Sequence, residues 1–120
     1  MHEMGIANSI LHAVKTETAK YPGCRPEKIG VRIGELAAVD PDSLQFCFDV
    51  LKQEAGFDKL QLEIEFLPRR HRCDRCNREF NVQDYNLLCP ECGLPTALCV
   101  GGEELELAYL EVEEHEPSTA

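Results

Sequence analysis

Residues 60–76 read Leu60-Gln61-Leu62-Glu63-Ile64-Glu65-Phe66-Leu67-Pro68-Arg69-Arg70-His71-Arg72-Cys73-Asp74-Arg75-Cys76. Two kinds of chain meet in this stretch. Up to Phe66 the apolar residues Leu62, Ile64 and Phe66 alternate with Gln61, Glu63 and Glu65, the pattern of a strand with one face in a core and one in water. Pro68 ends the alternation, because it cannot continue a strand ladder. Basic residues follow, and then a Cys-x-x-Cys pair. A sheet gives way to a segment organised by thiols.

Working towards the N-terminus, Ala7, Ile10, Leu11, Val14 and Thr18 fall at helical spacing between Met4 and Lys20, and Tyr21-Pro22-Gly23 stops the helix. Ile29, Val31 and Ile33 alternate with polar residues over Lys28 to Leu36, which predicts a half-buried strand. Asp40-Pro41-Asp42-Ser43 opens a second helix: Asp40 can cap it, Pro41 suits its first turn and Asp42 favours its positive end. Leu44, Cys47, Phe48 and Leu51 mark its buried face, and Gly56 closes it. Towards the C-terminus, Leu105, Leu107, Leu110 and Val112 resume a strand, with a phase slip near Ala108-Tyr109 that predicts a bulge. The acidic, then small and polar end from Glu113 to Ala120 is expected to fray.

The predicted fold class is α+β: two helices packed on a small three-stranded mixed sheet, with a zinc-ribbon-like module of four cysteines inserted before the last strand. The core is expected from Ile29, Val31, Leu62, Ile64 and Leu110. The domain division expected is residues 1–68 plus 101–116 for the α/β part and 69–100 for the metal module.

Cys73-Asp74-Arg75-Cys76 and Cys89-Pro90-Glu91-Cys92 are twelve residues apart. Four thiolates can close a tetrahedron around Zn²⁺ with no open position, as structural sites do. Each half needs a tight turn that aims backbone N–H groups at sulfur. Asn77 and Gly93, which follow the two pairs, are residue types that tolerate a left-handed backbone. A redox dithiol or unpaired buried thiols are the plain alternatives, but two matched pairs favour zinc, Cys73, Cys76, Cys89 and Cys92 being its ligands. About thirty residues with so few apolar side chains need such a staple to fold. Cys24, Cys47 and Cys99 have no such spacing. Arg69, Arg70, Arg72, Arg75 and Arg78 crowd the first pair. They suit either nucleic acid or the negative charge of a tetrathiolate centre; without interleaved aromatics the second reading is preferred. His71, two residues before Cys73, reads as a solvent-exposed histidine.

The chain has 120 residues and a net charge of −10, which disfavours nucleic acid and anionic membranes as partners. No apolar run approaches the ~20 residues of a membrane span. Glu3 stands where a secretory leader carries basic residues, so the cytoplasm is the expected location. Nothing resembles a nucleophile elbow, a phosphate loop or a paired-histidine motif, and a sealed four-thiolate zinc has no position for water, so no enzyme is expected.

The chain starts Met1-His2-Glu3-Met4-Gly5. The α-amine of Met1, the amide nitrogen of His2 and its imidazole can form adjacent five- and six-membered chelate rings, and the Glu3 amide or another donor could complete a plane. Planar nitrogen coordination suits Ni(II) or Cu(II). The first four N–H groups of a helix have no intrahelical partner, so such ligation breaks no helical bond. Taken alone, a histidine near a terminus is more often simply solvated.

These residues together resemble the HypA/HybF family of hydrogenase-maturation nickel chaperones. The resemblance rests on Met1-His2-Glu3-Met4, on Ile33-Gly34-Glu35-Leu36 leading into Val39-Asp40-Pro41-Asp42-Ser43-Leu44, on the cysteine pattern with Cys89-Pro90-Glu91-Cys92-Gly93, and on Gly102-Glu103-Glu104-Leu105 before the last strand. It covers essentially the whole chain. It implies exchangeable Ni²⁺ at His2 and the adjacent backbone, Met1 included, with Glu3 in support, in a nickel-binding domain beside a structural Zn²⁺ domain. The partners implied are a HypB-type GTPase and the large subunit of [NiFe]-hydrogenase; some members also serve urease. A monomer or weak homodimer is expected. Asn77 departs from the glycine common after the first pair, and Cys99 is an extra thiol. The competing reading is a zinc-ribbon interaction module, for protein or nucleic acid, in which His2 has no role.

Overall fold

A computed structural model describes residues 2–114. Helix α1 spans Glu3–Thr18, strand β1 Cys24–Gly34, helix α2 Pro41–Glu54 and strand β2 Gln61–Leu67. Three short strands follow, β3 (Arg70–Arg72), β4 (Glu79–Asn81) and β5 (Leu98–Gly101), before the long β6 (Leu105–Glu114). They form two three-stranded sheets, ordered β2-β1-β6 and β4-β3-β5. The first is mixed: β1 runs parallel to β2 and antiparallel to β6. The molecule measures 68 × 27 × 17 Å.

The helices form where their apolar stripes dictate. Ala7, Ile10, Leu11 and Val14 of α1 and Leu44 and Phe48 of α2 are buried together over Ile29, Val31, Ile33 and Leu62 of the sheet. Ile64 and Leu110 pack at the edge of this core and are only partly buried. The Asp40 carboxylate accepts from the Asp42 N–H at 3.2 Å and the Ser43 hydroxyl at 2.8 Å, with Pro41 at the start of the helix. Gly56 takes φ +81° just beyond the end of α2, a conformation that favours glycine.

Strand β1 is longer than its alternation predicts. It begins at Cys24, because β6 continues to Glu114 and pairs with Cys24, Arg25 and Pro26. Glu27 is skipped in the register next to Pro26, whose missing N–H interrupts the ladder. Glu113 and Glu114 are therefore paired in the sheet instead of frayed, while residues 115–120 of the expected tail lie outside the described residues. The bulge expected near Ala108 is present. Gly30 pairs with Tyr109 and Val31 with Leu107, leaving Ala108 unpaired. The extra residue brings Leu105, Leu107 and Leu110, opposite Ile33, Val31 and Ile29, onto the helix-covered side despite their odd spacing.

The other side of the sheet is polar. Lys28 faces Glu63, and Arg32 bridges Glu65 and Glu106. The Tyr109 ring lies across Gly30 and donates its hydroxyl proton to Glu63 at 2.6 Å. That bond, with Lys28 beside it, holds the Glu63 carboxyl below its ordinary range, and it pushes the Tyr109 phenol up to about 12. The contact needs the phenol protonated and the carboxylate ionised, so its contribution is whole between the ordinary carboxylate and tyrosine ranges, is lost as pH rises towards 12, and falls away at acid pH as Glu63 takes up its proton.

Two glycines are fixed by close approach. A Cβ at Gly30 would run into the Tyr109 ring, and one at Gly34 into the Gly102 backbone, where β6's approach crosses the end of β1. A ring can swing aside; a backbone cannot. Gly30→Ala should therefore fold, lose the Tyr109–Glu63 bond and return one tyrosine to an ordinary titration. Gly34→Ala should cost more, about 1–3 kcal/mol of urea stability as overpacking usually does. Equal losses for the two, or an unchanged tyrosine titration in Gly30→Ala, would contradict this packing.

Candidate functional site

Around each cysteine pair the chain makes the same turn twice. The Cys73 N–H donates to the Arg78 carbonyl at 2.9 Å and the Asn77 N–H to the Cys73 carbonyl at 2.8 Å. In the second turn the Cys89 N–H donates to the Leu94 carbonyl at 2.9 Å and the Gly93 N–H to the Cys89 carbonyl at 2.8 Å. Asn77 at φ +62° and Gly93 at φ +69° occupy equivalent positions, as their residue types suggest. The turns bring the sulfurs of Cys73, Cys76, Cys89 and Cys92 within 4.8 Å of one another. The Cys76 and Cys89 sulfurs are 3.6 Å apart. A tetrahedral ion with metal–sulfur bonds of about 2.3 Å separates its ligands by about 3.8 Å. The cluster thus fits a metal of that size, and its sulfurs are too far apart for a disulfide.

Backbone N–H groups of Cys76, then Arg75, point at the Cys73 sulfur and hold its thiol down to about 7. Cys92 goes the other way, up to about 12, chiefly because it shares a hydrogen bond with Cys76 in a crowd of sulfurs. One thiol is poised to ionise and another resists until a cation arrives. Metal binding must therefore expel protons.

The three short strands grow from these turns. His71 of β3 pairs with Phe80 of β4 and Cys99 of β5. The sequence reading of His71 as exposed is wrong: it is 1% exposed and forms the centre of the small sheet. Thr96 donates its one hydroxyl proton to the Leu87 carbonyl at 2.6 Å, so it must accept from His71 Nδ1 at 3.2 Å. His71 Nε2 then accepts from Arg69 Nε at 3.1 Å. This fixes the neutral Nδ1–H tautomer. With so few apolar residues, the module fills its middle with a satisfied histidine. Three of the five arginines pair with carboxylates: Arg70 with Glu79 at 3.1 Å, Arg72 with the same Glu79 at 4.0 Å and Arg78 with Glu91 at 2.9 Å.

Where the two sheets join, Glu35 accepts from the Arg69 N–H at 3.3 Å and Glu104 from the Gly102 N–H at 2.8 Å. The Gly34 N–H reaches the Glu104 carbonyl at 2.7 Å and the Leu36 N–H the Gly102 carbonyl at 2.6 Å. These bonds seat the cysteine module on the end of β1.

At the start of α1, His2 precedes the helix in an extended conformation, φ −91° and ψ 97°, and its side chain makes no capping bond. The first helical bond runs from the Ile6 N–H to the His2 carbonyl at 3.1 Å. The N–H groups before Ile6 are thus outside the helical ladder. The Glu3 carboxylate accepts from the Asp40 N–H at 3.3 Å, tying the start of α1 to the cap of α2. The sequence reading missed this bond, since nothing local relates residues 37 positions apart. Met1 lies outside the described residues.

A family described as "Hydrogenase/urease nickel incorporation, metallochaperone, hypA" matches residues 1–112. The chain belongs to the HypA family. A hydrogenase maturation factor HypA of Geobacter metallireducens is 36% identical over 94% of this chain and 100% of its own length. That of Chlorobium luteolum is 37% identical over 95% and 97%. In solved structures, the fold matches a solution structure titled "HypA protein" at TM-score 0.67 and 25% identity, covering 95% of this chain and 98% of that one. It also matches the Ni metallochaperone HypA from Helicobacter pylori at 0.60 and 23%, covering 92% and 97%. HypA-family proteins are metallochaperones for hydrogenase maturation and not enzymes. Among the described residues no helix is long and apolar enough to cross a membrane.

Chelation should melt β3, β4 and β5 first and leave the β2-β1-β6 sheet folded, since the module has little other core. Metal uptake at pH 8 should release protons, because Cys92 still holds its own there. Calorimetry in buffers of different ionisation enthalpy measures this. No proton release, or loss of both sheets together, would contradict the arrangement.

Proposed function

We propose that the chain carries Ni(II) at its N-terminus and holds Zn(II) at Cys73, Cys76, Cys89 and Cys92 as a permanent staple. The observation that carries the nickel reading is the start of α1. His2 is extended, uncapped and ahead of the first helical bond. Its imidazole, its amide, the Met1 amine and the Glu3 amide are the donors. They form a nitrogen plane suited to Ni(II) and unsuited to tetrahedral zinc. The Glu3 carboxylate acts through position. Held on the Asp40 N–H, it anchors the first turn and places negative charge beside the cation.

The division of labour follows from the donors. Four thiolates seal the zinc. A terminal site with a free edge can pass its metal on. In this reading residues 1–68 plus 101–116 form the nickel-binding domain and 69–100 the zinc-binding domain. The carrier works in the cytoplasm, with a HypB-type GTPase and the large subunit of [NiFe]-hydrogenase as partners and urease maturation as a second destination in some members. Family membership supports this assignment, and the H. pylori relative is itself titled a Ni metallochaperone.

Nickel calorimetry on protein with a native start tests the site. His2→Ala and an extension before Met1 should each weaken nickel binding at least tenfold and leave zinc content unchanged. Glu3→Ala should be milder, because the amide remains. Binding should weaken as pH falls, because protons compete with the metal for its nitrogen donors. Equal affinity in native, His2→Ala and extended proteins would move nickel elsewhere.

A further inference from the structure

Strand β6 is an edge of the larger sheet, paired with β1 on one side and with no strand among the described residues on the other. It is ten residues long, so its open side offers a long row of backbone N–H and C=O groups. Its helix-side face is also incomplete. Leu105 is 44% and Leu107 50% exposed, since α1 and α2 cover β1 and β2 but stop short of this edge. Beneath these leucines is a cavity of about 420 Å³, lined also by Ile6 and Ile10 of α1 and by His2. A second, of about 320 Å³, continues along Ala13, Leu107 and Leu110.

Charge narrows what can sit there. Of the chain's 22 acidic residues only Asp74, Glu79, Asp84 and Glu91 lie within 69–100, beside five of its twelve basic ones. The larger domain therefore bears the whole net negative charge. The segment 103–114 has six glutamates and no basic residue. Two β6 edges laid together would oppose glutamate to glutamate, so a second copy is a poor fit.

We propose that β6 receives an extended segment of a partner protein whose residues alternate apolar and basic. Paired with β6, the segment becomes a fourth strand. Its apolar side chains cover Leu105 and Leu107, and its Lys or Arg side chains meet Glu111 and share Glu106 and Glu113 with Arg32 and Arg25 on the opposite face. Main-chain bonds give affinity, and the alternation gives specificity. A docked helix would cover the leucines but leave the edge groups unpaired, so it satisfies less of the surface. The pairing stands without the nickel reading; only its neighbourhood to the proposed nickel ligand, through His2 in the shared cavity, rests on it.

The probe is a soluble peptide of alternating valine and lysine, compared with a valine–glutamate peptide and a helical leucine–lysine peptide of equal charge. Titrations use the full chain, zinc-loaded and without nickel. Amide exchange and binding are followed residue by residue. The valine–lysine peptide should bind at least tenfold tighter than either control and slow exchange at alternate amides of β6 only. Leu105→Ser with Leu107→Ser should remove most of that preference while circular dichroism and zinc content stay unchanged. If that variant misfolds, the exchange pattern in the unaltered chain decides alone. Preference for the helical peptide, protection elsewhere than β6, or dimerisation of the chain through β6 would each overturn the proposal. Nickel affinity is scored separately on His2→Ala, so failure of either idea is visible without the other.

Discussion

Four sulfurs drawn within 4.8 Å of one another are the constraint on which the architecture depends. They organise a segment that has almost no apolar core, and the small sheet β4-β3-β5 exists because two cysteine turns hold its ends. A metal seated there is closed to water and substrates by its own ligands. The site gives up chemistry for permanence. Any exchangeable metal must then use other donors, and the start of α1 has nitrogens that the helix leaves unused.

The larger domain supplies that start with a fixed base. α1 and α2 share one core on the mixed sheet, and the Glu3–Asp40 bond locks their N-termini together. At the C-terminal end of β1, Gly34, Glu35, Arg69, Gly102 and Glu104 make a junction in which backbone meets backbone. Both cysteine-module connections pass through it, so the module leaves the sheet at one place and returns to it beside that place.

Much of this was legible in the residues. Alternation in 60–66, the helical stripe of α1, the Asp40 cap and the bulge at Ala108 are local patterns with local causes. The cysteine spacing and the left-handed Asn77 and Gly93 are local too. What escaped reading is what distance decides. β3, β4 and β5 are three or four residues long and have no period; they form because the two cysteine turns fix their ends. His71 looks exposed among arginines, yet Thr96, 25 residues later, and Arg69 satisfy both of its ring nitrogens and allow it to be buried. The first residues of β1 became strand only because β6 runs on to Glu114. No sequence window contains those partners.

The central claim is that two metals use two unlike donor sets in one chain. X-ray absorption at the nickel and zinc edges, on native-start protein loaded with one equivalent of each, tests it directly. Zinc should show four sulfur neighbours at about 2.3 Å. Nickel should show light donors in a planar arrangement and no sulfur. Nickel surrounded by sulfur, or zinc bound by nitrogen in place of sulfur, would contradict the account.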